Sequence, residues 1–156
     1  MADTKYELPS FLEGKTSRED YRHWLQRKAQ AHCRRDNKRG FPGVSQAKWK
    51  EAIHKAVLDS SGRDYYTGKR LHWELLRKYK NEDAKGKGIK YKRKFAHLPS
   101  VDHFDPSQRK PDFRICAWYV NDSKGDLTIE EFLNLCGTVL AYDRKQERSE
   151  RQGGIA

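Results

Sequence analysis

The sequence is poor in the residues that build large cores and covalent frameworks. Hydrophobic residues make up 35% of its 156 positions, against about 45–50% in ordinary globular chains. The core must be small, and the 4 Trp, 8 Tyr and 6 Phe have to fill much of it. No run approaches the ~18 apolar residues that span a membrane. The opening residues, Met1 to Glu7, contain no apolar signal segment. Cysteine is scarce: Cys33, Cys116 and Cys136 cannot all pair, and none lies in a Cys-x-x-Cys. This argues against a disulfide scaffold and against a cysteine-rich zinc finger. The expected setting is reducing, intracellular and cytoplasmic.

Positive charge is abundant and unevenly placed. The 33 Lys and Arg exceed the 22 Asp and Glu by 11. Residues 1–50 carry 12 basic and 6 acidic side chains, residues 51–100 carry 13 and 6, and residues 101–156 carry 8 and 10. All the excess precedes position 101. Such a region attracts polyanions, and each phosphate it neutralises releases counterions. A membrane surface would instead call for a basic amphipathic helix with a bulky apolar face or a lipidation motif, and no lipidation motif is present. DNA is the expected partner. The strongest candidates for contact are Arg34-Arg35 with Lys38-Arg39, and the stretch Arg77–Lys94, including Lys90, Lys92, Arg93 and Lys94.

Punctuation divides the chain. Residues 1–15 read as irregular. Thr16 or Ser17 can cap a helix whose first turn holds Glu19 and Asp20. That helix ends before the breaker cluster Arg39 to Gly43. Ser45 opens a second helix with Trp49, Ile53, Ala56 and Val57 on one face, closed by Asp59 to Gly62. Asp64 to Lys69 reads as a strand and turn, with Leu71 to Trp73 returning, and Glu74 to Tyr79 as a helical turn. Asn81 to Lys94, rich in Lys and Gly, reads as a mobile loop. A strand ends at Asp102-His103, a loop covers Phe104 to Asp112, and Phe113 to Trp118 is a second strand or the start of a helix. Thr128 with Glu131 forms a capping box for a last helix. The tail from Asp143 reads as charged and frayed, ending in Gly153-Gly154.

The chemistry concentrates at Asp102-His103 and at Asn121, 18 positions beyond His103, in Asn121-Asp122-Ser123-Lys124. Neighbouring strand residues point to opposite faces. A hard oxygen ligand and a titratable nitrogen can therefore do different jobs where the strand ends. Carboxylate and amide oxygens suit Mg²⁺ or Mn²⁺, with Ni²⁺ or Zn²⁺ as other candidates. His97 and Asp105 are possible additional ligands, although a structural His and an Asp-Pro turn are the plainer readings. Asp122 and Asp126 are expected to stabilise the local turn.

Val101-Asp102-His103, a loop, a second strand and Asn121-x-x-Lys124 opening a helix resemble the ββα-metal motif of HNH endonucleases. Asn121 to Leu127 is similar to the family's closing Asn-x-x-Lys-Gly-Asp stretch. Asp64-x-Tyr66-Thr67-Gly68 lies where many members carry a zinc knuckle, here without cysteines. The resemblance covers about residues 64–136 and implies a small α+β fold with an HNH core (59–142) and a C-terminal helix packed behind it. Residues 1–58, read as N-terminal helices that contact DNA or serve structure, have no counterpart in it, and residues 143–156 read as a charged flexible tail. It implies Asp102 and Asn121 as metal ligands, His103 as the general base, and Lys124 either touching the scissile phosphate or facing solvent. The family's middle Asn, which holds the catalytic imidazole in one tautomer, has no counterpart between His103 and Asn121. A backbone carbonyl could take that role, and packing of Tyr65, Tyr66, Trp73 and Trp118 is expected to replace the zinc. The implied activity is metal-dependent hydrolysis of DNA phosphodiesters. The alternative is a non-catalytic nucleic-acid-binding module on the same scaffold.

Overall fold

The computed structural model describes residues 4–41, 43, 45–108 and 110–153. Helices α1 (Arg18–Lys38) and α2 (Gln46–Ser60) lead to α3 (Asn81–Lys94). Strands β1 (Pro99–His103) and β2 (Phe113–Ala117) follow, then α4 (Trp118–Lys124) and α5 (Ile129–Gly153). The fold is α+β, with one antiparallel hairpin as its sheet. The register pairs Asp102 with Arg114 and His103 with Phe113.

Helix α1 starts where the sequence places it. The Ser17 hydroxyl accepts a hydrogen bond from the Asp20 amide at 3.0 Å, and Glu19 and Asp20 meet the positive end of the helix dipole. Its buried face is Tyr21, Trp24, Leu25, Ala29, His32 and Asp36. Helix α2 buries Trp49, Ile53, Ala56 and Val57, as its periodicity predicts. Both helices share one core with Leu71, Trp73, Val101 and Ile115. The N-terminal region is therefore half of the hydrophobic core. Pro42 of the breaker cluster and Gly154 of the tail lie outside the described residues.

Three sequence expectations are corrected. Residues 81–94 form a helix, kinked at Gly88 (φ 61°, ψ −144°), where a loop is predicted. The segment has few apolar residues, but Ala84, Tyr91 and the following Phe95 suffice to anchor it against Leu75, Tyr79, Leu98 and Trp118. Glu82–Lys85 and Asp83–Lys87 pairs at helical spacing add to this.

Residues 64–69 form no strand, only a turn beside a single Arg63–Arg70 bridge. The buried Asp64 carboxylate organises it, accepting from the amides of Tyr66 (2.8 Å), Thr67 (2.7 Å) and Ala117. This carboxylate, rather than aromatic packing alone, ties the loop to β2. Tyr65 is exposed and lies against the Arg114 guanidinium.

Helix α5 begins with the predicted capping box. The Thr128 amide donates to Glu131 Oε2 (2.8 Å), and the Glu131 amide donates to Thr128 Oγ1 (3.2 Å). The helix then continues through Gly153, past the expected start of the frayed tail. It does not pack behind the core: Leu133, Leu135, Val139, Leu140 and Tyr142 are exposed, and Phe132 is the residue that reaches Tyr66. The position expected for it is already filled, because α1 and α2 close the core with Trp24, Trp49 and Ile53.

Candidate active site

Every residue of β1 is buried, and strand alternation sends Asp102 and His103 to opposite faces. Asp102 faces Tyr66 and Lys124. The Tyr66 hydroxyl donates to Asp102 Oδ2, and the Lys124 ammonium lies 3.2 Å from Oδ2 and 3.3 Å from Oδ1. Lys124 also donates to the His103 carbonyl at 3.3 Å. Desolvation raises the Asp102 carboxyl, and Tyr66 and Lys124 act against that rise. Burial, reinforced by Asp102, pushes the Tyr66 phenol up in turn.

On the other face, His103 Nε2 lies 3.0 Å from Asp36 Oδ1, near the end of α1. Asp36 is fully buried, and its Oδ2 accepts from the Trp49 indole at 2.7 Å. A carboxylate only accepts from an imidazole N–H, which places the ring proton of a neutral His103 on Nε2. Its Nδ1 is then the basic nitrogen, and that atom is buried without a partner among the described residues. Desolvation holds the imidazole below its ordinary pKa. Asp36 opposes that shift, while Arg35 and Arg39 add to it. His32 packs edge-on against His103 at 5.3 Å, and burial pushes it down to about 3.

Antiparallel pairing returns the chain to the start of β1, and α4 follows β2 without a linker. This brings Asn121, in the second turn of α4, beside Ser100, whose hydroxyl accepts from its amide at 3.0 Å. Asp102, His103 and Asn121 then line one cavity of about 310 Å³. Arg35 and Arg39 from α1 line its basic side, and Asp122 and Asp126 its acidic side. Arg39 and Asp126 pair across it at 3.1 Å.

No family model, curated protein or solved structure matches this chain. The reading of the site rests on its own geometry.

The other sequence candidates divide clearly. Lys124 is buried and bonded to Asp102, so it is neither solvent-facing nor set on the surface for phosphate. Arg34, Arg35, Lys90, Lys92, Arg93 and Lys94 are exposed, the last four on α3. His97 packs between His72 and Tyr119, at 5.3 and 5.1 Å, and does not line the cavity. Asp105 is a turn residue, bonded to the Ser107 amide and hydroxyl and to Gln108.

The sequence reading missed Asp36 and the partnering of Asp102 by Tyr66. One signal was available for Asp36: it continues the buried stripe of α1, where a carboxylate needs a partner.

The oxygen chemistry fits a divalent cation. Asp102 is a carboxylate held in the folded state beside positive charge, and Asn121 keeps its amide oxygen while its NH₂ is used by Ser100. The Lys124 ammonium occupies the same carboxylate, so a metal ion and Lys124 compete for Asp102. Among the described residues no group of three His, Cys, Asp or Glu side chains is disposed to hold a metal. A cation there would find one carboxylate and one amide as protein donors, with water to complete such a shell. Among the described residues, no helix is long and apolar enough to cross a membrane.

Proposed function

We propose that this chain hydrolyses DNA phosphodiester bonds as an HNH-type endonuclease with His103 as its general base. The convergence of Asp102, His103 and Asn121 on one polar cavity rimmed by Arg35 and Arg39 carries the reading. A water admitted to His103 Nδ1, which is buried in the free protein, gives that nitrogen its proton as it attacks phosphorus; the P–O3′ bond breaks and the departing 3′ oxygen takes a proton from solvent. Asp36 holds the imidazole through Nε2 and stabilises the imidazolium that forms. It thereby takes the tautomer-fixing role for which the sequence offers no Asn. Arg35 and Arg39 offset the negative charge of the phosphate. A bound Mg²⁺ or Mn²⁺, held by Asp102 and Asn121, would neutralise charge on the phosphoryl oxygens.

A binding module without catalysis is the second reading. The buried Lys124–Asp102 pair favours it, because the carboxylate already has its counter-charge.

Supercoiled-plasmid cleavage by wild type and His103→Ala, each in EDTA, Mg²⁺ or Mn²⁺, separates the two. The nuclease reading expects nicking that falls at least about a hundredfold in the variant. Equal inertness of both proteins, with salt-sensitive DNA binding retained, would favour the binding module.

A further inference from the structure

A second and larger cavity, of about 420 Å³, lies against the middle of α1, between His23 and Arg34. Its basic side chains are His23, Arg27, Lys28 and Arg34 from α1 and Arg77 from the segment before α3. A neighbouring hollow of about 240 Å³ shares Lys28, Tyr79, Leu98 and Pro99 with it and adds Ser100 and Trp118. Ser100 is the residue that holds Asn121. The hollows therefore run toward the candidate active site. Along α1 the same face carries Lys28, His32, Arg35 and Arg39, at helical spacing. The last three line the active-site cavity.

Lys28 distinguishes this cavity from an ordinary basic surface. It is half-buried and makes no hydrogen bond or ion pair with the described residues. Desolvation, with Arg27 beside it, pushes its ammonium down to about 8, and Arg35 adds to this while Cys116 and Asp122 oppose it. The unpaired ammonium lines the cavity, and an anion bound there would offset its desolvation. Arg77, by contrast, is already paired with Asp20 and Glu19. The lining also includes the apolar and aromatic Leu76, Tyr79 and Leu98, and Trp118 adds to it in the adjoining hollow. Tyr79 and Trp118 meet there edge to face at 5.4 Å, both half-buried, next to Leu98.

We propose that this cavity binds a nucleotide of a single nucleic-acid strand next to the cleaved bond, with Lys28 and Arg34 on its phosphate and the Tyr79–Trp118 wall against its base. The inference rests on the nucleic-acid part of the functional reading. From Lys28 to Arg39 the helix rises about 16 Å at ~1.5 Å per residue. A strand advancing ~3.4 Å per phosphate, the stacked spacing, places about five nucleotides over that distance. Aromatic walls accept any base face, so the site would grip a strand without reading its sequence.

Fluorescence anisotropy with labelled oligothymidylates, a dimer and a dodecamer, tests this. Wild type, Lys28→Met and Arg34→Ala are compared over a salt series. Methionine keeps the aliphatic stem of Lys28, and Arg34 is exposed, so both variants are expected to fold, as urea unfolding would verify. The expected result is dodecamer binding that weakens about tenfold in each variant, the worth of one charge-assisted hydrogen bond. The log–log salt slope should fall by about 0.7 in each, the single-strand value for one phosphate contact. The dimer, too short to fill both sites, should bind weakly and respond less. Unchanged dodecamer affinity and slope in both variants would overturn the cavity assignment even if the plasmid is cut. Lys28-dependent binding without cleavage would support the cavity while removing the catalytic reading. A wild type that binds no oligothymidylate overturns the cavity assignment, while plasmid cleavage alone decides the nuclease reading.

Discussion

His103 and Asp36 meet at 3.0 Å across 67 positions of sequence, one at the end of β1 and the other near the end of α1. The contact couples the N-terminal helices to the candidate chemistry. Without α1 the imidazole would have neither its orienting carboxylate nor the arginines beside it.

Asp36→Asn tests that coupling. An amide can donate to Nε2 and so move the ring proton to Nδ1, leaving no basic nitrogen in the productive position. Plasmid nicking should fall about 10²–10⁴-fold, the range for losing a general base. The Trp49 hydrogen bond can survive to the amide oxygen, so the variant should unfold within a few kcal/mol of wild type. Wild-type nicking in a folded Asp36→Asn would remove the role assigned here.

Lys124→Met should be costly in a different way. It leaves Asp102 buried with the Tyr66 hydroxyl as its remaining side-chain partner. Breaking one side of a buried pair typically costs about 3–5 kcal/mol, measurable as a drop in the urea midpoint. Because metal and ammonium compete for Asp102, Mn²⁺ should stabilise this variant more than wild type. Equal Mn²⁺ responses would mean that the two do not share the carboxylate.

Acid should destabilise the protein through its buried histidines. The folded-state pKa of His32 is pushed down to about 3, whereas an unfolded histidine titrates near ~6.5. Between those values the unfolded chain binds a proton that the folded chain does not. Stability is therefore present above the unfolded value and is lost as pH falls, by up to ~1.4 kcal/mol per pH unit for one group. His103 is lowered too and acts in the same direction. Asp102, raised in the folded state by desolvation, acts oppositely. Urea titrations from pH 7.5 downward should show the loss (over about one to three pH units), and His32→Phe should flatten the profile. A slope unchanged by that substitution would contradict the assignment to His32.

The cysteines should react in two classes. Cys136 is exposed on α5, while Cys116 is buried in β2 with its thiol pushed up by desolvation. A thiolate is the reactive form. Cys136 should therefore label at once with a thiol reagent, and Cys116 only at the rate of unfolding. Rapid labelling of Cys116 in native buffer would show that the β1–β2 hairpin opens readily. A Cys33→Ser, Cys136→Ser double variant, which also removes the partly exposed Cys33, isolates that signal.

Much of the local structure was legible in the sequence because its causes are local. The Ser17 cap, the Trp49–Val57 stripe of α2 and the Thr128–Glu131 box each depend on residues within a few turns of one another. Asp102, His103 and Asn121 were also legible as a spacing, since a hairpin and a directly following helix bring such positions together. Helix α3 was not, because its composition lacks apolar residues. Its anchors Tyr91 and Phe95 matter only once Tyr79 and Trp118 are in place to receive them. The exposure of α5 was hidden for the converse reason. Its apolar face reads as core from sequence, and only the prior filling of the core by α1 and α2 leaves it outside.

The sequence alone determined which residues carry charge, where α1, α2 and α5 begin, and which three side chains to read as candidate chemistry. Tertiary structure decided what each of them faces. It set Asp36 against His103, buried Lys124 on Asp102, and made Asp64 the tie between the turn and β2. Those are contacts between side chains far apart in the chain. A buried charge takes its meaning from the partner that folding delivers to it, and no local pattern states that partner.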